Sequence, residues 1–84
     1  MVGLEEFKRN KWMLKFKRIF NENGIMRYEF YPEGDFFAAG IVEFSAQGER
    51  KIIKESPKDV YGRYALHALY HIDTSKEIGT VAWY

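Results

Sequence analysis

From Lys11 onward apolar residues alternate with polar ones, and three clusters of turn residues cut that alternation into strand-length pieces before the period changes at Ser56-Pro57. A period of two belongs to an extended strand with one buried face, and a period near 3.6 belongs to a helix. This change of period restricts the chain to a sheet followed by a helix. In the first piece Trp12, Leu14, Phe16 and Phe20 share one face, and Met13, Lys15, Lys17 and Ile19 share the other, with Arg18 interrupting the apolar side.

Asn21-Glu22-Asn23-Gly24 reads as a hairpin turn, because Asn and Gly accept positive φ. The second strand is Ile25 to Tyr31, with Met26, Tyr28 and Phe30 set against Ile25, Arg27, Glu29 and Tyr31. Pro32-Glu33-Gly34-Asp35 ends it. A third strand is expected over Phe36 to Phe44. Its small centre, Ala38-Ala39-Gly40, predicts a close approach, which we assign to the helix packing overhead. Ser45 to Glu49 forms another turn, and Arg50 to Glu55 a short polar strand.

Ser56-Pro57-Lys58-Asp59 has the form of a helix start. The Ser56 hydroxyl is placed to accept from the Asp59 amide, Pro57 suits the first helical position, and Asp59 suits the positive end of the dipole. The helix is expected from Pro57 to about Thr74. Val60, Tyr61, Tyr64, Ala65, Ala68, Leu69 and Ile72 then fall on one half of the wheel, the face laid on the sheet. Gly62 lies off that stripe and costs about 1 kcal/mol relative to Ala. Thr80 to Tyr84 is a fifth strand. The expected class is α+β: an antiparallel four- to five-stranded sheet in the order β-β-β-β-α-β, with one helix packed on one face. Residues 1–84 make one domain, with 1–10 a loosely ordered N-terminal arm.

A chain of 84 residues has one core, and two Trp, six Tyr and seven Phe supply the area a small core needs. There is no cysteine, so disulfides, thiolate metal sites and thiol nucleophiles are excluded, and a reducing compartment is favoured. The first residues contain no apolar signal region, and no stretch approaches the roughly 20 apolar residues of a membrane span. The expectation is a soluble cytoplasmic protein.

Tyr31-Pro32-Glu33-Gly34, Gly40-Ile41-Val42, Tyr64-Ala65-Leu66-His67-Ala68 and Ala82-Trp83-Tyr84 together resemble a group of small proteins of unknown function from Gram-positive bacteria and their mobile elements. The resemblance covers roughly residues 12–84. It implies a cytoplasmic bacterial origin, and no activity, cofactor or catalytic residue comes with it.

Several patterns bear on chemistry. His67 and His71 stand i, i+4 on the helix and are the candidate metal ligands, but neither Cys nor a placed carboxylate completes a set. A boundary pair bonded to nearby carbonyls or tyrosines explains them as well. Glu33 and Asp35 share a turn, which supplies no cleft to split their pKa values for acid–base work. No phosphate-binding glycine loop occurs, and Ser56 is expected to be consumed as a cap. These patterns predict neither a catalytic residue nor a cofactor.

Net charge is +1 and unevenly spread. Residues 1–20 carry six basic side chains against Glu5 and Glu6, and the remainder is mildly acidic. Lys15, Lys17, Arg27 and Tyr31 fall on one side of the first two strands. That is a candidate single-stranded nucleic-acid face, offset by Glu29, Glu43 and the near-neutral total. Leu66 and Tyr70 lie away from the helix core stripe and form a candidate protein interface. The favoured function is a non-catalytic protein-interaction or self-associating module, with a protein partner or homodimer. The alternative is a weak single-stranded nucleic-acid-binding module.

Overall fold

The computed structural model describes residues 11–84, so the arm expected at residues 1–10 lies outside the described residues. The strands are β1 (Trp12–Glu22), β2 (Ile25–Pro32), β3 (Gly40–Ser45), β4 (Arg50–Lys54) and β5 (Ile78–Trp83). A helix, α1 (Arg63–His71), sits between β4 and β5, and a 3-10 turn spans Phe36–Ala38. The sheet is antiparallel with the order β4-β3-β2-β1-β5, which confirms the expected α+β class and places the last strand at an edge beside β1.

The β1–β2 turn closes on Asn23 and Gly24, with φ of 55° and 78°, the pair of positive values a two-residue hairpin requires. The inner face of the sheet carries Leu14, Phe16, Tyr28, Phe30, Val42, Phe44 and Val81, and α1 covers it with Ala65, Ala68, Leu69 and Ile72. Phe16–Tyr28 and Tyr28–Phe44 meet edge to face at 5.6 and 5.8 Å. Tyr28 is fully buried, and its hydroxyl donates to the carbonyl of Lys76 at 2.8 Å. This bond ties the loop after α1 to the centre of the sheet.

Four expectations are corrected. The first concerns Phe20, expected on the inner face. The β1–β2 register shifts between Arg18 and Phe20, so Ile19 is an extra residue and Phe20 stands opposite Arg27 on the outer face. There the Arg27 guanidinium lies 4.9 Å from the Phe20 ring centre. Second, the third strand begins at Gly40, because the Asp35 carboxylate accepts from the Phe37 amide at 3.0 Å and winds Phe36–Ala38 into the 3-10 turn. Third, the room at Gly40 is taken by the Phe30 ring and not by the helix: a Cβ there would stand 2.3 Å from a Phe30 carbon.

The fourth correction concerns the helix start. Residues 57–62 are not helical, and α1 begins at Arg63 after Gly62, whose φ is 72°. Asp59 caps it from a distance, its carboxylate accepting from the amides of Tyr64 at 3.2 Å and Ala65 at 2.9 Å. The Ser56 hydroxyl accepts from Lys58, not Asp59, and donates to the Ala38 carbonyl. Gly62 supplies the left-handed turn that lets the chain enter the helix. Val60 and Tyr61, expected beneath the helix, are 79 % and 85 % exposed.

Replacing Asp59 with Ala removes acceptors from two amides at the buried start of α1. Urea unfolding followed by circular dichroism should show a loss of about 1–2 kcal/mol. Lys58→Ala, which leaves the cap in place, should change stability by less than about 0.5 kcal/mol.

Candidate functional site

Trp12 and Trp83 are register partners at one end of the β1–β5 pair. They share parity with the inner residues Leu14 and Val81, so both rings lie on the helix side of the sheet. Tyr64 stands edge-on to both, 6.4 Å from Trp12 and 5.5 Å from Trp83 between ring centres. Its hydroxyl donates to Glu33 at 2.8 Å, and the same carboxylate oxygen accepts from the Met13 amide at 3.2 Å. Glu33 thereby fixes the ring against β1.

Beside these rings opens a cleft of about 450 Å³, with Val60 and Tyr61 from the loop before α1 forming its far wall. A second hollow, of about 380 Å³, continues past Trp12 and Trp83 toward Leu66 and Tyr84. The rim is cationic. Arg63 borders both hollows, Lys58 borders the first, and the Lys11 ammonium lies 5.9 Å from the Tyr84 ring centre. Asp59 borders the cleft too, but its two oxygens are turned to the helix amides.

The two halves of the predicted protein interface part company. Leu66 and Tyr70 are both exposed, as expected, but Leu66 joins the aromatic hollow while Tyr70 lies under the Arg50 guanidinium at 5.3 Å. The signal missed in the sequence is Trp12 with Trp83. They sit at opposite ends of the chain, and only the β1–β5 register brings them together.

His67 stacks face-on against Trp83, with ring centres 3.8 Å apart and planes 11° apart, and His71 stacks on His67 at 5.4 Å. His67 Nδ1 is buried without a hydrogen-bond partner, which corrects the expected bond to a carbonyl or tyrosine. Among the described residues no three His, Asp or Glu side chains come together to hold a metal ion. Burial, then the charge of His71 and of Arg63, push the His67 imidazole below its ordinary value of 6.5.

The turn carboxylates are both engaged. Glu33 holds Tyr64 and Met13, and Asp35 binds the Phe37 amide and Lys58. The Phe37 amide, followed by Lys58, lowers the Asp35 carboxyl.

On the outer sheet face Lys15 and Lys17 are exposed as expected, while the other two candidates are occupied. Arg27 donates to Glu43 at 2.8 Å, and Lys51 reaches the other oxygen of Glu43 at 3.4 Å. The Arg27 bond, followed by Lys51, lowers the Glu43 carboxyl. Tyr31 is only 5 % exposed, packs against Phe36 at 4.8 Å and donates to Glu29 at 2.6 Å. Burial first, and then Glu29, raise its phenol above the ordinary value of 10.0. A ring so covered is no platform for a stacked base. Phe36 beside it is exposed.

No protein-family model, curated protein or solved structure matches the chain. Among the described residues no helix is long and apolar enough to cross a membrane.

The His67 environment predicts a pH dependence of stability. The unfolded imidazole takes up its proton near 6.5, and the folded one only at lower pH. Stability should therefore be complete above that value and should fall as pH drops below it toward the folded pKa. Urea unfolding at about pH 7.5 and about pH 5 measures the drop, and His67→Phe, which keeps a ring against Trp83, should shrink it. A His67 imidazole resonance titrating at or above 6.5 in the folded protein would contradict this.

Proposed function

We propose that this chain is a non-catalytic interaction module whose aromatic cleft takes an acidic protein segment with apolar anchor residues. The observation that carries the reading is the cleft wall. Val60 and Tyr61 stand almost fully in solvent beside two Trp rings, and the apolar hollow there is bordered by Lys58 and Arg63. Protein interfaces concentrate Trp, Tyr and Arg, and a large aromatic group that is already held in place loses little entropy when a partner arrives. Cationic side chains around an apolar hollow favour an acidic partner and speed its approach. A cytoplasmic setting for this module is supported by the cysteine-free sequence alone.

Trp12 and Trp83 are the chain's two tryptophans, so intrinsic fluorescence reports on the cleft directly. Titration with a synthetic peptide alternating Glu and Leu should give a saturable change that weakens with added salt. The same peptide with Lys in place of Glu should bind at least about tenfold more weakly, a difference of about 1.4 kcal/mol. Arg63→Glu and Val60→Asp should both abolish the acidic-peptide response while leaving the fold intact. Equal response to the two peptides, or none to either, would overturn the reading.

The outer sheet face supports a second reading. Lys15 and Lys17 border a depression of about 380 Å³ that also takes in Phe36, Ile78 and Thr80. Two ammonium groups beside an exposed ring suit single-stranded nucleic acid, through phosphate contacts and one stacked base. Anisotropy of a labelled oligothymidine should show binding whose logarithmic salt slope falls by about 1.4 in the Lys15→Glu/Lys17→Glu variant, at about 0.7 per lost phosphate contact. Absence of binding at low salt would remove this reading.

A further inference from the structure

The two edges of the sheet are protected differently. On β4 the sequence is Arg50-Lys51-Ile52-Ile53-Lys54, three charges in five residues, and its pairing with β3 shifts register between Ile41 and Val42. Charge and irregularity are the usual devices that stop an edge from pairing with another chain. On β5 the sequence is Ile78-Gly79-Thr80-Val81-Ala82-Trp83. It holds no charge and no proline, and its register with β1 is unbroken.

Among the described residues, the backbone of that edge is open in a defined way. The Arg18 amide donates to the Glu77 carbonyl at 2.6 Å, in line with the β1–β5 register. Alternation along an antiparallel ladder then turns the amides and carbonyls of Gly79, Val81 and Trp83 toward β1. Those of Ile78, Thr80 and Ala82 face away from the sheet. The Ile78, Thr80 and Ala82 side chains are exposed as well. Between the edge and α1 lies a hollow of about 330 Å³, lined by His67, His71 and the β5 residues Thr80 to Trp83.

We propose that β5 pairs antiparallel with β5 of a second copy of this chain, joining two five-stranded sheets into one. The strand is self-complementary about a two-fold axis through Thr80. In that register Ile78 lies opposite Ala82 of the second copy and Thr80 opposite its own mate, and the three open amides on each side find acceptors. No charged side chain of β5 faces another across this seam, because Ile78 to Trp83 carries none. A single strand pair buries less than a standard interface, so the dimer dissociates on dilution.

Sedimentation of the full chain over a hundredfold concentration range tests this, with a reversible monomer–dimer equilibrium expected. Thr80→Pro removes the central outward amide and no bond to β1, a substitution an edge strand accepts. It should weaken dimerisation at least tenfold while circular dichroism stays that of the wild type. Thr80→Lys, which places charge on the edge and keeps the amide, should do the same and serves if the proline variant misfolds. Leu66→Lys, on the helix, should leave the dimer intact. A wild type that stays monomeric throughout overturns the proposal, as does a dimer that survives both Thr80 variants or dissolves with Leu66→Lys. Thr80→Pro should still bind the acidic peptide, which separates this surface from the cleft.

Discussion

Asp59 turns both carboxylate oxygens onto the first free amides of the helix, and the position of the candidate site follows from that contact. A helix begins where its orphan amides find acceptors. Here the acceptor stands four residues before the helix, so the intervening loop must cross open space to reach it. Val60 and Tyr61 lie in that loop and are held away from the core. Had the helix begun at Pro57, the same two side chains would have joined the buried stripe, and the cleft beside Trp12 and Trp83 would have lost its far wall. The carboxylate that orders the helix is also consumed by it, which leaves Lys58 and Arg63 to set the charge of the rim.

Glycine explains how the large rings on the inner face are accommodated. A Cβ at Gly79 would stand 2.5 Å from the Phe16 ring, and one at Gly40 would meet Phe30. Both glycines lie in neighbouring strands directly opposite the ring they admit. The rings therefore lie down across adjacent strands instead of standing against the helix. This is why small residues suffice on the helix side, where Ala65 and Ala68 are fully packed. The small run Ala38-Ala39-Gly40 shows in the sequence as a close approach. Its partner does not, because which ring lies over a glycine depends on cross-strand register, and register is a tertiary property.

The same limit decides which other features were legible. The alternation of Leu14 with Phe16 and of Tyr28 with Phe30 carries through to the core, as does the Asn23-Gly24 hairpin, since both are local. Phe20 follows the alternation and yet faces outward, because one extra residue at Ile19 reverses the parity of everything after it. Nothing local marks Ile19 as the bulge. Among the proposed site residues, Lys15, Lys17, Leu66 and Tyr70 are exposed as their positions suggest. Arg27 and Tyr31 are not free, because their partners Glu43 and Glu29 come from register and from side-chain reach. The pairing of Trp12 with Trp83 was illegible for the same reason.

The strand order β4-β3-β2-β1-β5 gives these surfaces their separate characters. The short turns build β1 to β4 as a meander, so β4 is an edge by necessity, and its three charges suit it to that place. The helix returns the chain to the far side of β1, and β5 becomes the other edge without any such charge. A strand read from sequence as uncharged and β-branched would ordinarily be placed at the centre of a sheet, where neighbours on both sides satisfy its backbone. At an edge, the same composition leaves one row of amides and carbonyls unpaired among the described residues, beside apolar side chains. That mismatch between what β5 is made of and where the topology puts it is the physical reason to look for a second strand beside it.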